Sequence, residues 1–94
     1  FTLFCIVIEF LYMSDKKHKV IIYSADWCAF CHAAKNYFDT KGVHYTEKNV
    51  ETDPEAGLES VNKSGQRGIP VIDIDGQIIV GFDRPRIDAA LAAA

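Results

Sequence analysis

The chain has 94 residues, 49% hydrophobic and 24% charged, which is material for one compact core and leaves no room for a second domain. Ten Lys and Arg against thirteen Asp and Glu give a net charge of -3, which excludes a general phosphate-backbone binder, because that affinity comes from clustered cations. Three cysteines are too few for a disulfide-stapled secreted scaffold, and two of them, Cys28 and Cys31, stand three residues apart, a spacing that favours chemistry over architecture.

Residues 1–12 are strongly apolar and open without Met, whereas Met13 leads into Ser14, Asp15 and the run Lys16, Lys17, His18, Lys19. The stretch is shorter than the roughly 20 apolar residues of a membrane span, carries Glu9, and lacks the basic front and small-residue cleavage site of a signal peptide. It reads as an upstream extension, with a truncated membrane anchor as the alternative, so the expected organisation is 1–12 as extension and 13–94 as a single domain. The lysine run reads as a solvated terminus. Cys5, alone among apolar residues, reads as a small buried hydrophobe without a redox role.

Val20 to Tyr23 is a short, mainly β-branched run that suits a buried strand. From Cys28 onward Ala29, Ala33, Ala34, Lys35, Tyr37 and Phe38 favour a helix, which Lys41 and Gly42 stop. Val43 to Val50 alternates as a second strand. Thr52-Asp53-Pro54-Glu55 predicts a helix capped by Thr52, with Glu three residues on and Pro in the first turn, running to about Lys63. Val71 to Ile74 and Gln77 to Val80 flank Asp75-Gly76, a strong hairpin signal. Asp83 then caps a last helix with Pro85 in its first turn and Ile87, Ala90 and Leu91 at helical spacing. The order β-α-β-α-β-β-α, with one right-handed parallel crossover and one antiparallel hairpin, builds a four-stranded mixed sheet flanked by helices, an α/β fold.

A thiolate is the nucleophile of disulfide exchange, and an unperturbed Cys with a pKa of about 8.5 is only a few per cent ionised at neutral pH. Starting the helix at Cys28 aims unsatisfied backbone N–H groups and the positive end of the helix dipole at its sulfur, so Cys28 is the expected attacking thiol. Cys31, one turn inward and less exposed, is placed to resolve a mixed disulfide. Two other chemistries share the motif. Structural zinc needs two more ligands, and no second Cys-x-x-Cys or His-x-x-x-His accompanies His18, His32 and His44, so no metal site is assigned. Cys28-x-x-Cys31-His32 also matches the c-type haem attachment pattern, but the strand-rich remainder leaves little space for haem, and the single Met lies upstream at Met13. His32 reads as a partly exposed helix residue that favours the thiolate when protonated. Tyr23, Tyr37, Phe38 and Leu58 read as core. Trp27 has two readings, core packing and an apolar docking surface shared with an exposed Phe30.

Taken together, the strand and Trp27-Cys28-x-x-Cys31 helix of Val20 to Lys35, the segment Ser64-Gly65-Gln66-Arg67-Gly68-Ile69-Pro70-Val71, and Val80-Gly81-Phe82-Asp83 resemble the glutaredoxin family over about Lys19 to Ala92. The likeness is nearest to the small bacterial glutaredoxin-like proteins of the YruB-like group, with some likeness to NrdH-type redoxins around Gly81 to Pro85. The resemblance implies a thioredoxin-like fold with Pro70 cis, and a cytoplasmic, monomeric thiol-disulfide oxidoreductase that needs no cofactor. It implies glutathione as co-substrate, glutathione or thioredoxin reductase as partner, and disulfide-containing proteins as substrates, without nucleic acid or membrane. By the same resemblance Phe30, Gln66, Arg67, Ile69, Pro70, Gly81 and Asp83 form the glutathione and substrate contacts, with Asp83 also a helix cap. Ala25 stands where many glutaredoxins carry Lys, and Asp26 adds a charge of the wrong sign, so the Cys28 thiolate is expected to be less stabilised than in a typical member. Ile22 occupies the place of the buried acid of thioredoxins. The alternatives that the resemblance leaves open are a thioredoxin-reductase-dependent electron donor of the NrdH type, and a module holding an iron-sulfur cluster between two copies through Cys28 and glutathione.

Overall fold

The computed structural model describes residues 18–93; the expectations for residues 1–12, the Met13 start, Lys16, Lys17 and Cys5 lie outside the described residues. Its elements are β1 (Val20–Ser24), α1 (Ala29–Lys41), β2 (Thr46–Asn49), α2 (Pro54–Ser64), β3 (Val71–Ile74), β4 (Gln77–Val80) and α3 (Arg84–Ala92). The sheet order is β2-β1-β3-β4, with β1 parallel to β2 and antiparallel to β3, and β3 antiparallel to β4. This is the expected order and the expected mixed sheet.

Alternation along the strands divides the core between two faces. Val20 and Ile22 of β1, Ile72 and Ile74 of β3 and Ile79 of β4 meet Ala34 and Phe38 of α1 and Ile87 and Ala90 of α3 on one face. On the other face Tyr23 and Val71 meet Ala56 of α2, with Ile21, Val50 and Ile78 alongside. Both faces being covered explains why β1 runs Val-Ile-Ile-Tyr without alternating to polar residues, and why β3 is apolar but for Asp73. Among the described residues no helix is long and apolar enough to cross a membrane.

Three local expectations change. The second strand is Thr46–Asn49, shorter than Val43 to Val50, because α1 ends on Gly42 at φ 72 and the N–H groups of Gly42 and Val43 return to Asp39 and Phe38. Val43 is thus spent on the helix terminus and is lost to the strand. The cap of α2 is Asp53 rather than Thr52: with Pro54 in the first turn, the residue just before it takes the cap, and the Asp53 carboxylate accepts the N–H groups of Glu55 and Ala56. Leu58 is exposed, because Ala56 and Ser60 turn one face of α2 to the sheet and a residue two positions from either points away.

The β3–β4 hairpin turns on Asp75 and Gly76, both at positive φ, as a type I′ turn requires, and the Asp73 carboxylate accepts the Gly76 N–H at 2.8 Å. Pairing of Tyr23 with Val71 and of Val71 with Val80 brings the end of β1, the start of β3 and the end of β4 to one end of the sheet. The loops that leave that end carry Cys28, Pro70 and Gly81.

Candidate active site

Beyond Ser24 the chain turns at buried Ala25, whose carbonyl accepts the Cys28 N–H at 3.2 Å. Cys28 has extended backbone and is the N-cap of α1; its sulfur accepts the Cys31 N–H at 3.1 Å, the place usually taken by a Ser or Asp oxygen. A helix cap built on sulfur directs one of the terminal N–H groups at the reactive atom. Cys28 is 5% exposed and Cys31 0%, and both are free thiols. The Cys31 side chain therefore has no opening to solvent. Burial, and next the hydrogen bond with Cys28, pushes the Cys31 thiol up to about 12, while a backbone hydrogen bond from Ala25 and, less strongly, the charge of Lys35 pull it the other way.

Ile69 packs against Ala25, Cys28 and Cys31, and the Ile69–Pro70 bond is cis. The Gly81 N–H donates to the Pro70 carbonyl at 2.8 Å, with Gly81 at φ 86, so the turn after β4 is tied to the cis-proline loop. The structure thus brings Cys28, Cys31, Ile69, Pro70 and Gly81 to the same end of the sheet. Asp83 follows as the cap of α3, its carboxylate accepting the Arg86 N–H at 3.3 Å. Gln66 is folded into its own loop: its amide nitrogen donates to Ser64 and to the Gly68 carbonyl, each at 3.0 Å, and its oxygen accepts the Gly68 N–H. Arg67 is exposed.

Trp27 and Phe30 are 68% and 67% exposed, so the core reading of Trp27 fails. The reason is a polar tether, the indole N–H donating to the Glu51 carboxylate, which holds the ring across the surface beside the thiols. Asn49 joins the same two loops, donating to Asp26 at 3.2 Å and accepting the N–H groups of Glu51 and Thr52. His32 is exposed, and its Nε2 meets the Asp26 carbonyl at 2.7 Å. Among the described residues no three His, Cys, Asp or Glu side chains gather as metal ligands.

Sequence reasoning passed over Asn49 and the pair formed by Lys35 and Glu47. The Lys35 ammonium donates to Glu47 at 2.7 Å, and the same carboxylate oxygen accepts the hydroxyl of buried Ser24 at 2.6 Å. These hydrogen bonds, that of Lys35 first, hold the Glu47 carboxyl below its ordinary range. The available signal was the spacing of Lys35 four residues after Cys31, which stacks them on one helix face.

The sequence pattern of the glutaredoxin family matches residues 20–79. An uncharacterized glutaredoxin-like 8.6 kDa protein in the rubredoxin operon of Clostridium pasteurianum is 42% identical over 67 residues, 71% of this chain and 89% of that protein. Glutaredoxin 3 of Escherichia coli strain K12 is 36% identical over 64 residues, 68% of this chain and 77% of that one. Among solved structures, the glutaredoxin-like NrdH-redoxin from Escherichia coli superposes with a TM-score of 0.68 at 30% identity, covering 76% of this chain and 92% of its own. The architecture described above is the thioredoxin-like fold these proteins share.

Proposed function

This chain belongs to the glutaredoxin family, and we propose that it is a thiol-disulfide oxidoreductase that reduces protein disulfides or glutathione mixed disulfides through Cys28 and Cys31. The observation that carries this reading is the Cys31 N–H directed at the Cys28 sulfur at 3.1 Å, with the Cys31 sulfur sealed behind it. Cys28 as thiolate attacks one sulfur of the substrate disulfide; that bond breaks, and the departing sulfur takes a proton from solvent. Cys31 then gives up its proton and attacks the Cys28 sulfur, releasing the second substrate thiol and leaving a Cys28–Cys31 disulfide. Two thiols of glutathione, or a thioredoxin reductase, return the two electrons. No prosthetic group enters the cycle.

Ile69, Pro70 and Gly81 support the proposed contacts with glutathione or substrate peptide by standing at the same end of the sheet as Cys28. Phe30 offers apolar surface, and Arg67 and Asp83 complete the set proposed for the charged ends of glutathione. A second reading, reduction by thioredoxin reductase, is favoured by Gln66, whose amide is committed to Ser64 and Gly68. The related NrdH-redoxin is described as having a thioredoxin-like activity profile. A dithiol acting as reductant belongs in a reducing compartment, so the proposed setting is the cytoplasm, with the chain working as a monomer.

The test follows NADPH oxidation with the oxidised protein offered either glutathione with glutathione reductase, or thioredoxin reductase alone. Turnover with glutathione supports the first reading, and turnover with thioredoxin reductase alone supports the second. Turnover with neither overturns both.

A further inference from the structure

The resolving step asks a sulfur with no solvent contact to lose a proton. Desolvation opposes that charge, and the protein must supply something that offsets it. Lys35 lies four residues after Cys31 on α1, one turn along the same helix face. Its side chain is 14% exposed, the stem lying along the protein, and its ammonium donates to Glu47 of β2 at 2.7 Å. Glu47 is itself fixed by the hydroxyl of Ser24, which is 0% exposed and lies at the end of β1, ahead of the cysteine turn. Three elements therefore hold one cation a helical turn from the buried thiol.

We propose that Lys35, anchored by Glu47 and Ser24, is a positioning residue for the second half of the reaction, supplying the positive charge against which buried Cys31 ionises as it attacks the Cys28 mixed disulfide. This rests on the Cys28 and Cys31 roles proposed above. In that step the Cys31 proton goes to solvent, the new bond joins the two cysteine sulfurs, and the bond from Cys28 to the substrate sulfur breaks. The substrate sulfur leaves as a thiolate and is protonated from solvent. Lys35 keeps its protons throughout; the effect is electrostatic. The charged and titratable groups acting on Cys31 are Cys28 and Lys35, and those acting on Lys35 are Glu47 and Tyr45 on the β2 side and Cys31 on its own helix. Glu47 in turn feels His32. Glu47 alone would be a poor neighbour for a thiolate. Paired with Lys35 it neutralises itself and fixes where the cation sits.

The magnitude follows from two opposing effects. Removing the cation lowers the Cys31 thiolate fraction, and the more basic thiolate regains part of the loss in nucleophilicity, so that a roughly tenfold fall in thiolate becomes a net loss of about threefold in rate. A stopped-flow experiment separates the half-reactions. Reduced full-length protein carrying Cys5→Ser, so that only Cys28 and Cys31 report, is mixed with one equivalent of a nitrobenzoate disulfide whose released thiolate is yellow. The first coloured equivalent records attack by Cys28, and the second, independent of reagent concentration, records resolution by Cys31. Lys35→Met is expected to leave the first phase within about twofold, slow the second about threefold, and displace its rise with pH to higher pH. Lys35→Arg is expected to restore the second phase, and Glu47→Gln to give a change smaller than Lys35→Met because the cation remains. A second phase that is unchanged in Lys35→Met, or slowed without a displaced pH profile and without rescue by Arg, overturns the proposal. If the parent protein releases a single coloured equivalent, it is the underlying assignment of Cys31 as resolver that has failed. Thermal unfolding of each variant shows that a rate change belongs to folded protein.

Discussion

Cys31 donates its backbone N–H to the Cys28 sulfur at 3.1 Å while keeping its own sulfur wholly out of solvent. The two thiols are therefore unequal before any substrate arrives. Cys28→Ser is expected to abolish all exchange. Cys31→Ser leaves the attacking sulfur and its N–H donor in place, so it is expected to spare exchange with glutathione mixed disulfides and to stall on protein disulfides. Mass spectrometry of Cys31→Ser incubated with a disulfide-bonded protein should show the trapped mixed disulfide. Full turnover by Cys28→Ser would refute the nucleophile assignment.

Asp83 carries two proposed roles that substitution can separate. Its carboxylate caps α3 through the Arg86 N–H, a contact worth about 1 kcal/mol. Asp83→Ala should lower the unfolding free energy by about that amount. Asp83→Asn keeps an oxygen for the cap, so its stability should stay within about 0.5 kcal/mol of the parent. If Asp83 also meets the charged end of glutathione, Asp83→Asn raises the KM for a glutathione mixed disulfide severalfold while the unfolding midpoint holds. An unchanged KM in both variants leaves Asp83 a cap and nothing more.

What could be read from the sequence was whatever is decided within a few residues. The helix beginning at Cys28, the stop at Gly42, the Asp75-Gly76 hairpin and the Asp83 cap rest on local backbone chemistry, and each stands as expected. Where two local signals competed, the sequence alone was a poor judge: Thr52 and Asp53 are both good caps, and the position of Pro54 decides between them. Leu58 looks like core by residue type, but its exposure is set by which face of α2 meets the sheet. Trp27 stays on the surface because Glu51, twenty-four residues away in sequence, holds it there. Lys35 and Glu47 meet only through the parallel register of β1 and β2, in which Ile22 lies beside Glu47 and Ser24 beside Asn49. No spacing within a single element encodes that meeting.

A second ion pair predicts a stability effect away from the thiols. Lys63 of α2 donates to Asp73 of β3 at 2.7 Å, and the Asp73 side chain is only 12% exposed. Lys63 is held above its ordinary value, first by the Asp73 hydrogen bond and then by Tyr23. Lys63→Met would leave a nearly buried carboxylate with the Gly76 N–H as its hydrogen-bond donor, a loss of about 2 kcal/mol, lowering Tm by roughly 10 °C. Adding Asp73→Asn removes the stranded charge. The double variant should therefore be less destabilised than the sum of the two single ones, as measured by a double-mutant cycle in urea.

Acid should loosen the contact between α1 and β2. Glu47 is held below its ordinary value by Lys35 and then by Ser24, so its folded-state value lies under its unfolded one. The unfolded chain then binds the proton more readily, and the stabilisation from Glu47 is present above the ordinary carboxylate range and lost as pH falls through the folded value. Glu59, lowered by Tyr23 and then Lys48, adds to the same limb. Urea midpoints for the parent and for Glu47→Gln should differ at about pH 6, with the parent more stable, and the gap should narrow as pH falls below the ordinary carboxylate range. Glu47→Gln keeps the size of the side chain and its oxygen for the Ser24 hydroxyl, so a gap that persists unchanged at low pH would mean that packing, not charge, sets the difference. A gap that closes would place the Lys35 pairing among the interactions that acid removes first.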